Sequence, residues 1–117
     1  MSLHHIRPGE IVDVQPLGSL LAGSQSHALF KSADLEVIRS ILRAGETMPP
    51  HAVAGESTVQ CIEGRVQLTC AAGARELSAG QLAYLGRQEN HAILCYEDAS
   101  LLLTICLRAG KNESVTT

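Results

Sequence analysis

The sequence predicts a single all-β domain. Three observations carry that reading. From residue 28 onward the apolar runs are short and rich in Val, Ile, Leu and Thr. Glycines at 45, 55, 64, 73, 80 and 86 separate them at regular intervals. The whole chain, 117 residues of which 45% are hydrophobic, holds enough apolar material for one core but not for two.

Residues 1–27 read as an irregular arm laid along the body, because Pro8-Gly9, Pro16, Gly18 and Gly23 interrupt two small apolar patches, Ile11-Val12 and Leu20-Leu21. Strands are expected at Ala28–Lys31, Leu35–Arg43, Ser57–Glu63, Arg65–Ala71, Gln81–Leu85, Asn90–Tyr96 and Ser100–Leu107, each too short for an independent helix. Glu63-Gly64 is read as a tight hairpin turn, since glycine accepts the positive φ such turns require. Alternation in the next segment puts Val66, Leu68 and Cys70 on one face and Arg65, Gln67 and Thr69 in water. Leu101–Leu107 is apolar at nearly every position, which calls for cover on both faces and points to a homodimer. The barrel body is thus 28–107, and 108–117, without apolar period, is a loose tail.

Nine Lys+Arg against twelve Asp+Glu give a net charge of −3, which excludes a groove built to neutralise nucleic-acid phosphates. Only Phe30, Tyr84 and Tyr96 are aromatic, so stacking platforms for bases or sugars have little material. No apolar run is long enough to span a bilayer, and the first residues lack a signal peptide's basic and apolar regions, so a cytoplasmic protein without membrane contact is expected. Cys61, Cys70, Cys95 and Cys106 form no C-x-x-C pair and are read as reduced core thiols. No nucleophile elbow, P-loop or dinucleotide fingerprint is present.

Alternating strands alone leave a sandwich, an open sheet and a small barrel as alternatives. Two segments choose among them. Gly45, five residues, His51, and a run ending at Glu63-Gly64 resembles the first motif of the cupins (the RmlC-like superfamily): glycine, five residues, His-x-His, then a glutamate seven positions before a glycine. Gly80, ten residues and His91 match the spacing of the second cupin motif. The resemblance covers residues 28–107 and implies a double-stranded β-helix, the cupin jelly-roll barrel. This chain departs from it at several points. Val53 stands at the second histidine, Ser57 at the glutamate and Cys95 at the asparagine of the second motif, while Gly86 and Gln88 occupy its proline and glycine positions.

The resemblance implies that His51 and His91 converge in one barrel mouth, where imidazoles hold a divalent ion such as Zn, Ni, Fe or Mn. Most stable sites add a third ligand. Two registers for the strand after Gly55 remain open. One turns Ser57, Val59 and Cys61 inward and offers no ligand; a one-residue bulge near Gly55 instead brings in Glu56 and Gln60. Val53, Ser57, Cys61 and Cys95 are expected to line the pocket, the thiols as inert groups with no cation nearby to activate them. Glu89 is read as a solvated turn charge, and His4, His5 and His27 receive no role. Three functions follow as expectations: a module binding a small molecule, with a divalent metal as an optional cofactor; a metal-dependent enzyme of dioxygenase, isomerase or lyase type using His51 and His91; and a non-catalytic interaction module working through Leu101–Leu107. Fold alone does not rank them.

Overall fold

The computed structural model describes residues 4–108. A 3₁₀ turn at Gly18–Gly23 precedes seven strands: β1 His27–Lys31, β2 Leu35–Leu42, β3 Thr47–His51, β4 Ser57–Cys70, β5 Gly73–Ser78, β6 Leu82–Leu85 and β7 His91–Cys106. No helix among the described residues is long and apolar enough to cross a membrane.

Two long strands organise the molecule. β4 and β7 run antiparallel beside each other, Ser57–Cys61 against Ile105–Leu101 and Val66–Thr69 against Cys95–Ala92, with register shifts between Cys61 and Val66. The shifts bend both strands, so each contributes to two sheets. All seven strands belong to one continuous hydrogen-bonded sheet that folds over into two, a first sheet β1-β2-β7-β4-β6 and a second β3-β7-β4-β5, every neighbouring pair antiparallel. Inward-facing side chains fill the space between, with Val59, Cys61, Val66, Leu85, Cys95, Leu101 and Ile93 almost wholly buried. Alternation is clean: Ser57, Val59 and Cys61 are buried, whereas Thr58, Gln60 and Ile62 are only partly so.

The two predicted hairpin halves around Glu63-Gly64 are therefore one strand. Gly64 does adopt φ +85°, as expected, but it serves a corner at which β4 crosses β7 rather than a reversal. The segments Asn90–Tyr96 and Ser100–Leu107 likewise join into β7. Expected strands miss β3 and β5. β3 carries Pro49-Pro50 and pairs only with β7, an edge position where missing amide hydrogens do no harm. β5 is exposed over Gly73–Glu76 and has little apolar signal.

The arm is firmly seated. Glu63 Oε2 accepts the Leu17 amide at 2.8 Å and Oε1 the Gly18 amide at 3.0 Å, and the Ser100 hydroxyl donates to Oε2 at 2.8 Å. Arg39, 4% exposed, lies 3.7 Å from the same carboxylate and donates to Ser100 Oγ and the Gln15 carbonyl. Arg43 donates to the Ala22 and Ser24 carbonyls. Cover on Leu101–Leu107 is correspondingly uneven. Leu101 and Leu103 face the core, and the arm shields the Ser100 end, but Leu102 and Thr104 on the outer face stay partly open. Beyond Arg108, the tail expectation lies outside the described residues.

Candidate functional site

His51 ends β3 and His91 opens β7, and the two are direct cross-strand partners. Directly opposite residues of an antiparallel pair project to the same side, and here the ring centroids lie 4.3 Å apart with the planes tilted by 54°. His51 is exposed; His91 is 7% exposed. Each ring is pinned by its own turn. Nδ1 of His51 lies 3.2 Å from the Pro49 carbonyl, and Nδ1 of His91 lies 3.2 Å from the Glu89 carbonyl. A carbonyl only accepts, so both Nδ1 atoms carry a proton, and Nε2 of each ring has no hydrogen-bond partner among the described residues. Burial lowers the His91 pKa, the neighbouring His51 lowers it further, and the contact with the Glu89 carbonyl opposes both. The buried ring is thereby held in its neutral, ligating form.

Both rings line a small cavity of about 20 Å³ together with Val53, Ser57, Val59 and Leu103. That is room for about one water-sized species. A larger cleft of about 420 Å³ lies against His91 and is walled by Pro50, Thr69, Cys70, Glu89 and Asn90.

The remaining expected residues divide between wall and surface. Val53 and Ser57 border the His cavity; Cys61 and Cys95 are buried deeper in the core and do not line it. The Cys61 thiol, with its pKa raised by burial, contacts the Glu63 and Gly64 carbonyls. Cys95 is pushed up to about 11 by burial and by neighbouring acidic groups, and contacts the Glu97 carbonyl at 2.9 Å. Glu56 and Gln60 are corrections to the inward-bulge register. β4 pairs regularly with both neighbours from Ser57 to Gln60, so no bulge reverses the parity. Gln60 lies on the outer face between Leu82 and Leu102. Glu56 is exposed, accepts the Tyr84 hydroxyl at 2.8 Å and lies 3.6 Å from Arg87. Glu89 is also corrected: its carboxylate accepts the Gly86 amide at 2.8 Å and the Ala71 amide at 3.0 Å. These bonds hold its pKa below the ordinary carboxylate value and fix the loop that carries His91. Cys70 is the residue that the sequence reading left out of the site; its inward parity with Leu68 was the available signal.

Superposition on solved structures decides the architecture. A cupin superfamily protein from Desulfitobacterium hafniense aligns with TM-score 0.72 at 17% identity, covering 92% of this chain and 99% of that one. An RmlC-like cupin with a double-stranded β-helix fold from Methanocaldococcus jannaschii aligns with TM-score 0.66 at 13% identity over 93% of each chain. This chain has the cupin fold. Oxalate decarboxylase from Bacillus subtilis, a protein with Mn(II) centres, aligns with TM-score 0.59 at 21% identity, covering 69% of this chain but 23% of that one. No known family profile and no curated protein matches the sequence.

A protein of this fold thus holds metal, and the donor set of this chain can be tested against such a centre. Among the described residues no three His, Cys, Asp or Glu side chains converge. Val53 and Ser57 occupy the wall of the His cavity where further ligands would be needed. An iron or manganese centre built with a carboxylate does not fit this chain; two imidazoles are what it offers.

Proposed function

We propose that this cupin is a small-ligand-binding protein whose recognition element is the His51–His91 pair, and that the pair takes a divalent ion of the borderline class, zinc or nickel, at low affinity. The paired rings with both Nδ1 atoms tied to backbone carbonyls carry this reading. With both Nδ1 atoms committed to carbonyls, the Nε2 atoms are the ring positions left for a ligand at the small cavity. Imidazole nitrogens at about 2.1 Å from a shared ion place ring centroids about 4.6 Å apart at a right angle and about 5.2 Å apart at the tetrahedral angle, so the observed 4.3 Å needs only a small opening of the pair. Zinc and nickel suit imidazole donors. Two protein ligands instead of the four of a structural zinc site make the ion exchangeable and leave coordination positions open. The adjacent cleft, with Cys70, Asn90 and Thr69 on its walls, is where a small molecule would lie. Titration calorimetry with zinc and with nickel, on protein without a histidine tag, tests the proposal: one ion per chain supports it, and no heat with either ion refutes it. The dioxygenase, isomerase or lyase alternative needs a third side-chain ligand that the wall of the pair does not provide.

The partner we propose is a second copy of the chain, seated on the outer face of the first sheet. Leu82 and Tyr84, 60% and 67% exposed, continue the rows Gln60–Leu102 and Thr58–Thr104. The one charged side chain that continues these rows, Arg39 opposite Leu102, is buried against Glu63 beneath the arm, so a two-fold pairing of this face with itself meets little like-charge repulsion. Four unbridged cysteines support placement in a reducing compartment such as the cytoplasm.

A further inference from the structure

We propose that the pocket between the N-terminal arm and β1 is a second binding site, remote in sequence from the His pair and built for a small aromatic anion. The pocket encloses about 390 Å³, within the range of small-molecule sites, whereas the cavity between the imidazoles has room for about one water.

Its walls are fixed by backbone bonds. The Ile6 amide donates to the Leu29 carbonyl at 2.9 Å, which lays the arm along the free edge of β1. Glu10 N–H donates to the Arg7 carbonyl at 2.9 Å, and Arg7 N–H donates to Glu10 Oε1 at 2.7 Å, closing the Pro8-Gly9 turn in which Gly9 has φ +88°. Such a frame costs little further ordering when a ligand binds.

The lining has two characters. Ile6, Pro8 and Phe30 supply an apolar surface, and Phe30 is the chain's one phenylalanine. His5, Arg7 and Lys31 supply positive charge or hydrogen-bond donors. Among the described residues neither Arg7 nor Lys31 forms an ion pair, although Lys31 stands opposite Glu36 in the β1–β2 ladder. The one carboxylate of the lining, Glu10, is engaged by the Arg7 amide and by His4 Nε2 at 3.2 Å. Arg43 and Arg75 also form no ion pair among the described residues, but Arg7 and Lys31 share one pocket with an aromatic side chain. A planar ring packs offset or edge-on against Phe30, while a carboxylate on that ring accepts from the Arg7 guanidinium and the Lys31 ammonium.

Titration of the full-length protein with benzoate, followed by ¹H–¹⁵N NMR at pH 7.5, tests the site. Saturable shifts are expected at the amides of residues 5–7, 9–10 and 30–32, with little change elsewhere. Arg7→Ala and Lys31→Gln should each weaken benzoate binding at least fivefold, while Arg75→Ala leaves it unchanged. Benzyl alcohol and acetate, each lacking one half of the recognised chemistry, should bind at least fivefold more weakly than benzoate. Shifts that do not saturate, or that fall outside this segment, overturn the proposal. So does unaltered affinity in both variants whose spectra retain native dispersion. Acetate binding as tightly as benzoate overturns it as well, because the pocket is then a simple anion site.

Discussion

A β-carbon placed on Gly64 would lie 2.2 Å from the Asp98 carbonyl oxygen and 2.6 Å from Ala99 Cα. The two long strands cross at this point, backbone against backbone, and neither neighbour is a flexible side-chain end that could swing away. Gly64→Ala therefore combines a left-handed φ of +85° with a clash at the corner shared by both sheets. A loss of about 3 kcal/mol or more is expected, measurable by urea unfolding. Gly80→Ala, where φ is +89° but nothing lies within 4 Å, should cost about 1–2 kcal/mol. Equal costs at the two positions would refute the close-crossing argument.

That corner shows how far the sequence could be read. Glycine at position 64 announces a positive φ, and the structure has one, but a positive φ serves a tight turn and a bent strand equally well. Choosing between them requires knowing that Asp98 and Ala99 pass alongside, and no local pattern contains that. Period-two alternation identified the inward faces of Val66 and Leu68, while the cupin spacing offered the inward parity of Ser57, Val59 and Cys61 as one of two registers left open. The outward positions of Glu56 and Gln60 follow from the same parity once β4 pairs without a bulge at Gly55. The approach of His51 to His91 was legible only through motif spacing, since forty residues separate them. The pocket over Phe30 was not legible, because the arm residues Arg7 and Pro8 meet Lys31 only after the Ile6 amide pairs with β1.

Glu63 fastens the arm, and its loss should be visible locally as well as globally. Burial would raise its pKa, but amide bonds from Leu17 and Gly18, the Ser100 hydroxyl and the Arg39 charge outweigh that and hold it below 4.5. A carboxylate with a depressed folded-state pKa contributes stability that is complete above its unfolded value, near 4.5, and is lost as pH falls through the folded value. Glu63→Gln is expected to be about 1–3 kcal/mol less stable than the parent at pH 7, with the gap narrowing below pH 4.5. Amide exchange at Leu17 and Gly18 should quicken in Glu63→Ala more than exchange at Val59. A gap independent of pH would rule out the charged latch.

Outer-face pairing of two copies predicts a concentration-independent mass of two chains in sedimentation at about 10 µM. Leu82→Asp puts a charge on a side chain 60% exposed, so it should leave the fold intact. In a two-fold arrangement it brings like charges into an apolar contact, and a shift to the mass of one chain is expected. Tyr96→Asp, on the outer face of the second sheet, should remain dimeric; a monomer for the parent chain would remove the partner altogether.

The imidazole pair makes the sharpest demand. If both Nε2 atoms share one ion, His51→Ala and His91→Gln should each reduce zinc and nickel affinity at least tenfold, about 1.4 kcal/mol or more, and the two losses should not add in the double variant. His51 is exposed and its removal leaves the core untouched, so a decrease in that variant cannot be ascribed to unfolding. Glu56→Gln and Gln60→Ala, whose side chains lie outside the cavity lined by the two rings, should bind as the parent does. Zinc also binds thiolates, so Cys70→Ser in the adjoining cleft is the decisive control: unchanged affinity there keeps the ion on the two rings, and a tenfold loss moves it to the thiol.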